Sequence, residues 1–477
     1  MSFAQWDAYA RSFAGVLARE GIQPGDPVAI WLENSLDYAV ALFGIFAAGA
    51  VAVPLNTDTT AEAAAKIVRH AQPRLLLARA RTVERLRLEQ TGVRILSLAA
   101  GFEENRTRLF EAPPTEPVSR PRDSLAVILY TSGTTGAPKG VMLSHANLLA
   151  NTDSIVQYLS LSSADSVVQV LPFFHSFGNS VLLTHLAAGA KLIIENRFAF
   201  PNQVVDTLTK ERPTGFAGVP ATFYILLHRS TFAQHDWSSF RYICQAGGGM
   251  RVETIRTLRG IMPATQIFIM YGQTEASARL TYLPPESVED KAGSIGIPIP
   301  GVEIRVVGTD GEELAPGITG EVCARGPNVM MGYLHDEASS AEVLRGGWLH
   351  TGDMGYCDED GFLFLVARKS DFIKSASYRV GPAEIEEVIA ATGGIEDVAV
   401  IGVDDELLGE AIAACIVCPP EVFDAERIRG HCLKHLPLYK VPKYIVHETE
   451  IPRTPSGKKQ YFMLREKYRS IAGTVNR

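Results

Sequence analysis

Apolar and polar positions along the chain follow two different periods. Short runs at 125–129, 167–171, 191–194, 266–270 and 411–417 read as strands, the first of them buried. Helical patterns lie between such runs. Ser144 has the chemistry of an N-cap, and after it Leu148, Leu149, Ile155, Val156 and Leu159 recur at helical spacing. The uncharged stretch 38–55 is near the lower length limit for crossing a bilayer. Gly44, Gly49 and Pro54 break it, however, and its pattern predicts a helix giving way to a buried strand, so no stable membrane insertion is expected. Alternating strand and helix signals predict an α/β chain with layered architecture. Segments 301–307 and 320–325 add a β-rich subdomain. The turn Asp358-Glu359-Asp360-Gly361 and the strand pattern 362–366 complete one unit, which places a boundary at Arg368-Lys369-Ser370. The expected organisation is a large N-terminal domain, residues 1–368, and a small α+β C-terminal domain, residues 369–477.

Composition narrows the class. With 477 residues and 46% hydrophobic content the chain can bury two or more cores. A net charge of −8 argues against a nucleic-acid surface, which relies on clustered Lys and Arg. Asp7 and Arg11 interrupt any apolar signal-peptide region, and the six cysteines have no disulfide spacing, which fits a reducing, cytoplasmic setting. Cys415 and Cys418 form one CxxC with no second ligand pair nearby. Buried thiols are the expected reading there, not zinc ligands.

Candidate chemistry begins at Tyr130-Thr131-Ser132-Gly133-Thr134-Thr135-Gly136-Ala137-Pro138-Lys139-Gly140, placed between the strand at 125–129 and the helix after Ser144. Three glycines free the backbone to turn its N–H groups toward an anion, the hydroxyls of Thr131, Ser132, Thr134 and Thr135 add donors, and Lys139 adds a positive charge. No Asp or Glu occurs from Ser124 to Thr152, so a polyphosphate meets no like charge. Lys139 precedes Gly140, which is the wrong order for the P-loop of common NTPases. This is a phosphate-holding segment of another kind.

Four further motifs follow in order: Tyr271-Gly272-Gln273-Thr274-Glu275, Gly347-Trp348-Leu349-His350-Thr351-Gly352-Asp353, Val366-Ala367-Arg368-Lys369-Ser370-Asp371 and Pro455-Ser456-Gly457-Lys458. Together with the first segment they cover the chain from about residue 125 to its end. They resemble the signature of the acyl-adenylate-forming superfamily: acyl- and aryl-CoA synthetases, luciferases and the adenylation domains of peptide synthetases.

The resemblance implies activation of a carboxylic acid by ATP and Mg²⁺ through an acyl adenylate, then transfer to the thiol of CoA. Such chemistry needs compensation of developing charge more than acid–base catalysis. By resemblance, Glu275 is the magnesium carboxylate, Thr274 a phosphate-binding hydroxyl and Tyr271 the ring against adenine. Asp353 matches the acceptor of the ribose hydroxyls, and Arg368 its partner at ribose or phosphate. Gly247 and Gly248 match the small-residue segment along which nucleotide and acyl group lie, while Gly249 equally suits a tight turn without ligand contact. Lys458 matches the lysine that bridges the substrate carboxylate and the α-phosphate. The C-terminal domain is implied to be mobile, rotating between half-reactions about a hinge that here aligns with Ser370, where Asp or Lys is usual. Lys374 matches a position used in the second half-reaction. Where many CoA ligases have glycine along the pantetheine tunnel, Ser377 stands, which keeps the phosphopantetheine arm of a separate acyl carrier protein open as the acceptor.

The acid itself is less legible. Leu171-Pro172-Phe173-Phe174-His175-Ser176-Phe177-Gly178 resembles the border of the acyl pocket, with His175 near the carboxylate; His175 equally fits a hydrogen-bonded core histidine. No acid occurs from Ser166 to Ile194 to pair an ammonium group, so an uncharged acyl or aryl acid is expected in preference to an amino acid. Ser2-Phe3-Ala4-Gln5-Trp6 aligns with the first helix of the resembling proteins, so either the chain is longer or its N-terminal subdomain is trimmed. No carrier-attachment serine follows a Gly-Gly pair, so the thiol is external. A non-catalytic nucleotide-binding protein of the same fold remains the reading from another class, and the presence of both Glu275 and Lys458 argues against it.

Overall fold

The apolar runs pair into sheets in the computed structural model, which describes the chain apart from residues 58, 133–137, 369–372, 376–377, 406–408, 454–458 and 469–477. Two compact units emerge: residues 1–290, 296–303 and 324–349 form one, and residues 291–295, 304–323 and 350–477 the other.

The first unit contains two seven-stranded sheets. In chain order the strands of the first are β1 (Pro27–Trp31), β2 (Val51–Pro54), β3 (Leu75–Arg79), β4 (Ile95–Leu98), β5 (Leu125–Ser132) and β6 (Pro138–Ser144). Its spatial order is 6-5-2-1-3-4, with the short strand Gly332–Tyr333 outside β6. The strands from β1 to β5 run parallel, and β6 returns antiparallel to β5. The second sheet uses β7 (Ser166–Gln169), β8 (Lys191–Ile194), β9 (Gly215–Gly218), β10 (Tyr242–Gln245), β11 (Gln266–Tyr271), β12 (Thr281–Leu283) and β13 (Ile297–Pro298), in the order 13-12-11-10-9-7-8. The strands from β7 to β11 are parallel.

Helices His145–Tyr158 and Ser176–Ala187 each contribute to the cores of both sheets. Leu148 and Leu182 pack with Val28, Ile30 and Leu129, whereas Ile155 and Val181 pack with Val167, Cys244 and Phe268. The stretch 38–55 resolves as expected into helix Leu36–Ala47 and β2. No helix among the described residues is long and apolar enough to cross a membrane.

One placement differs from the sequence expectation. The segment 130–140 does not lead from strand to helix; Thr131 pairs with Lys139 and Ser132 with Pro138, so its described residues belong to the paired strands β5 and β6. The helix begins only at His145, capped by Ser144, whose hydroxyl accepts from the backbone N–H of Asn147. Pro138 and Gly140 look like turn residues in isolation, yet the register with β5 makes them strand.

In the second unit, residues from Glu303–Val307, Gly320–Arg325 and Trp348–Cys357 belong to a five-stranded sheet, and Leu363–Arg368 pairs antiparallel with Trp348–Cys357. A further sheet is built on the hairpin of Asp397–Asp405 and Gly409–Val417, with Tyr444–Glu448 parallel to it. Helices Pro382–Ala390 and Ala425–His435 pack Ile385, Ile389, Ile428 and Cys432 on one of its faces. Leu464 of helix Tyr461–Lys467 packs on the other with Cys415. Cys415 and Cys418 are buried, and burial pushes the Cys415 thiol up to about 12.

Candidate active site

β11 ends at Tyr271, and the chain then turns through the single 3₁₀ turn Thr274–Ala276. Gly272 is required at this bend by space, because a Cβ there would sit 2.0 Å from the carbonyl oxygen of Ala278. Ser277 and Ala278 both adopt positive φ, 58° and 114°, an arrangement that costs free energy for residues with a side chain. Compensation comes from hydrogen bonds. Asn328 donates to the carbonyls of Ala276 (3.1 Å) and Arg279 (2.8 Å), Ser277 Oγ donates to the carbonyl of Asn328 (2.7 Å), and the Met330 N–H donates to the Glu275 carbonyl (2.9 Å).

The segment that holds this turn is itself held by the helix after the hairpin. Asn147 Nδ2 donates to the carbonyls of Pro327 and Val329, each at 2.8 Å, while its Oδ1 accepts from the Ser144 N–H. Asn151 Nδ2 reaches the Arg279 carbonyl at 3.2 Å. The hairpin and the Thr274-Glu275 turn are thereby parts of one hydrogen-bonded frame.

Tyr333 joins their side chains. Its hydroxyl donates to Glu275 Oε1 at 2.9 Å, and its ring faces Lys139 Nζ, 4.7 Å from the ring centroid. Lys139 also donates to Ser339 Oγ at 3.2 Å. One buried tyrosine, 7% exposed, therefore touches both the Glu275 carboxylate and the Lys139 ammonium. Thr274 Oγ1 donates to Ser176 Oγ at 3.3 Å, which brings the segment after His175 to the same turn. His175 precedes helix Ser176–Ala187 and lies beside Phe174, with ring centroids 4.4 Å apart.

His185, in the helix that follows His175, is a buried hydrogen-bonded histidine. It is 2% exposed, faces the Val181 carbonyl through Nδ1 (2.8 Å) and the Tyr242 hydroxyl through Nε2 (2.6 Å), and burial holds its pKa down to about 4.

Gly247 and Gly248 follow β10, the strand next to β11. Gly247 has φ of 87°, which suits glycine, and the Gly248 carbonyl accepts from Gln245 Nε2 at 2.7 Å. Thr131 and Ser132 end β5, whereas Gly133, Thr134, Thr135 and Gly136 lie outside the described residues.

In the second unit, Asp353 and Arg368 are direct cross-strand partners. Asp353 is buried, and its N–H donates to Thr351 Oγ1 at 3.1 Å; that hydroxyl in turn donates to the Val322 carbonyl. Lys374 lies in strand Ile373–Ser375, while Ser377 and Lys458 lie outside the described residues. Sequence reasoning did not single out Tyr333, Asn147, Asn151 or Asn328. Only the Ser144 cap hinted at Asn147, and nothing near Tyr333 in the sequence links it to Glu275.

The donor set suits Mg²⁺ and a nucleotide. Mg²⁺ is commonly bound by one or two carboxylates together with substrate phosphates and water, and Glu275 supplies one carboxylate beside the Thr274 hydroxyl. Gln273 Nε2 and Gln245 Oε1 are buried without a hydrogen-bond partner among the described residues, leaving polar capacity on both strands' ends.

The AMP-binding enzyme family matches residues 1–334, and the AMP-binding enzyme C-terminal domain matches residues 384–458. The chain belongs to the AMP-binding enzyme family, as the resemblance to acyl-adenylate-forming proteins anticipates. It is 34% identical to a long-chain-fatty-acid–CoA ligase of Salmonella typhimurium, covering 96% of this chain and 88% of that protein. It is also 34% identical to an indoleacetate–CoA ligase of Aromatoleum aromaticum, with 96% and 91% covered. Among solved structures it resembles the o-succinylbenzoate CoA synthetase of Bacillus subtilis in complex with its acyl-adenylate intermediate, at 28% identity and a TM-score of 0.87 over 98% of this chain and 93% of that one. The same synthetase has been solved with ATP and magnesium ion.

Proposed function

We propose that this chain is an AMP-forming carboxylic acid:thiol ligase, which activates an acyl or aryl acid with ATP and transfers the acyl group to CoA. The observation that carries this reading is that Tyr333 contacts both Glu275, through its hydroxyl, and Lys139, through its ring, with Lys139 paired in register to Thr131 at the end of β5. A carboxylate is a poor electrophile, and attack on the α-phosphate converts its oxygen into a leaving group. The step brings together two anions, so cationic and hydrogen-bonding groups fixed in advance lower its barrier.

In this reading Glu275 holds Mg²⁺, which when bound shields phosphate charge. Thr131, Ser132, Gly133, Thr134, Thr135, Gly136 and Lys139 hold the phosphates, with Thr274 as a further hydroxyl. Tyr271, Gly247 and Gly248 line the adenine and acyl path, and His175 faces the substrate carboxylate. Asp353 accepts from the ribose hydroxyls, a role suited to an ionised acceptor, and Arg368 is its partner. Lys458 bridges carboxylate and α-phosphate. The hinge lies at Arg368-Lys369-Ser370, inside the second compact unit, and Lys374 and Ser377 serve the thiol half-reaction. Ser377 favours a carrier-bound phosphopantetheine as the second choice of acceptor. A cytoplasmic setting accords with the scattered cysteines.

Acid-dependent exchange of labelled pyrophosphate into ATP, measured over a panel of carboxylic acids, tests the adenylation step. Exchange with at least one acid and none in its absence is expected. Uniform absence of exchange with an enzyme that binds ATP overturns the proposal.

A further inference from the structure

Arg279 follows the Thr274-Glu275 turn by four residues and is almost fully buried, at 2% exposure. Its guanidinium lies over the Phe177 ring, 4.1 Å from the centroid. Nε contacts Met270 Sδ at 3.3 Å and Nη1 donates to the Ala278 carbonyl at 3.2 Å. The titratable groups acting on it are Tyr158, whose side chain hydrogen-bonds it, and Cys244, both held neutral by burial, with the thiol pushed up to about 12. No carboxylate among the described residues pairs with this cation. No Asp or Glu occurs from Ala276 to Pro285 or from Ser166 to Ile194, the two stretches that contribute Arg279 and Phe177.

A buried charge without a counter-ion is costly, and an apolar side chain of similar volume would fill the same space at lower cost. The position of the residue supplies a reason to keep it. Phe177 adjoins Ser176, whose hydroxyl accepts from Thr274, so the cation lies behind the segments that flank the acid-activating turn. The positive φ values of Ser277 and Ala278 turn the chain just before it. A guanidinium presents a planar fork of donors that matches a carboxylate in two parallel hydrogen bonds.

We infer that Arg279 forms the far end of the acyl pocket and that the acid activated carries a second carboxylate, which this guanidinium pairs. The inference rests on the adenylation reading and refines its uncharged acyl group to a dicarboxylic acid. One carboxylate is activated while the other neutralises Arg279.

The test compares diacids with their monomethyl esters, which keep length and remove one charge: succinate, adipate, suberate and phthalate, each against its monoester, in pyrophosphate exchange. The parent is expected to favour at least one diacid over its ester by about 10- to 100-fold in kcat/KM, the scale of a charged hydrogen-bonded pair. Arg279→Met should abolish that ratio and Arg279→Lys should reduce it. The melting midpoint of Arg279→Met without substrate should be equal to or above that of the parent, since an unpaired buried charge is removed. Exchange supported by monocarboxylic acids and not by any diacid overturns the inference, as does a diacid preference unchanged in Arg279→Met. If no acid of either kind supports exchange, the adenylation reading fails by itself. Calorimetric titration of the same diacids and esters then decides the anion site: diacid binding lost in Arg279→Met upholds it, and equal binding of diacid and ester by the parent overturns it.

Discussion

Replacing Tyr333 by Phe removes one oxygen atom and with it the hydrogen bond to Glu275 Oε1, 2.9 Å long. The ring remains, so its contact with Lys139 at 4.7 Å persists. Hydrogen bonds to charged groups are worth about 1.5–3 kcal/mol. Glu275 is only half-buried, so water can replace part of the loss, and the lower end of about 1.5 kcal/mol applies, or roughly tenfold. If Tyr333 positions the carboxylate for Mg²⁺, the loss falls on metal use. The Mg²⁺ concentration giving half-maximal pyrophosphate exchange should rise about tenfold, with the melting midpoint unchanged. Tyr333→Leu also removes the ring above Lys139. A double-mutant cycle of Tyr333→Leu with Lys139→Met should return a coupling of about 0.5–2 kcal/mol, the range for a cation over an aromatic face. A Tyr333→Phe enzyme with the parent's Mg²⁺ dependence and rate would refute the positioning role and detach Glu275 from the metal.

Asp353→Ala is expected to weaken ATP binding by about 1.5–3 kcal/mol, measured by calorimetry, and an unchanged dissociation constant in the folded variant removes Asp353 from the nucleotide site. Lys458→Ala should slow acyl-adenylate formation by about 10²- to 10³-fold in single turnovers while leaving unfolding unaltered; parent-like rates would exclude it from the first half-reaction. Ser377→Gly should speed acyl transfer from adenylate to CoA without altering pyrophosphate exchange, and equal transfer rates would clear the serine of obstructing the thiol. His185 gives a pH signature. Its folded pKa of about 4 lies below the ordinary 6.5, so the unfolded chain takes the proton first; the stabilising contribution is complete above about pH 6.5 and declines as pH falls toward 4, by about 3 kcal/mol in all. Urea unfolding of the parent and of His185→Gln across that window should give a steeper pH slope for the parent, and identical slopes would contradict the assignment.

Features set by local chemistry were readable in the chain. The Ser144 cap, the change from helix to strand within 38–55 and the unbroken runs at 191–194 and 266–270 each depend on residues a few positions apart, and each appears as expected. Strand β6 was not readable as such, because Pro138 and Gly140 signal a turn until pairing with Ser132 and Tyr130 overrides them. The frame around Glu275 depends on distant partners. Tyr333 lies 58 residues from Glu275, and Asn147 is 180 residues from Pro327, so no spacing rule connects them. Arg279 was hidden for a related reason: an arginine after a short polar run looks solvent-exposed until the fold buries it over Phe177. The motif residues were legible as motifs, but the groups that hold them in place were not.

The activity proposed for this chain activates an acid by loss of pyrophosphate and then passes it to a thiol. Product analysis of the complete reaction, with ATP, Mg²⁺, CoA and the acid that supports exchange, tests it most directly. One AMP, one pyrophosphate and one acyl-CoA are expected for each acid consumed, with acyl adenylate accumulating when CoA is omitted. Formation of ADP and phosphate, or of AMP without acid consumption, would contradict it.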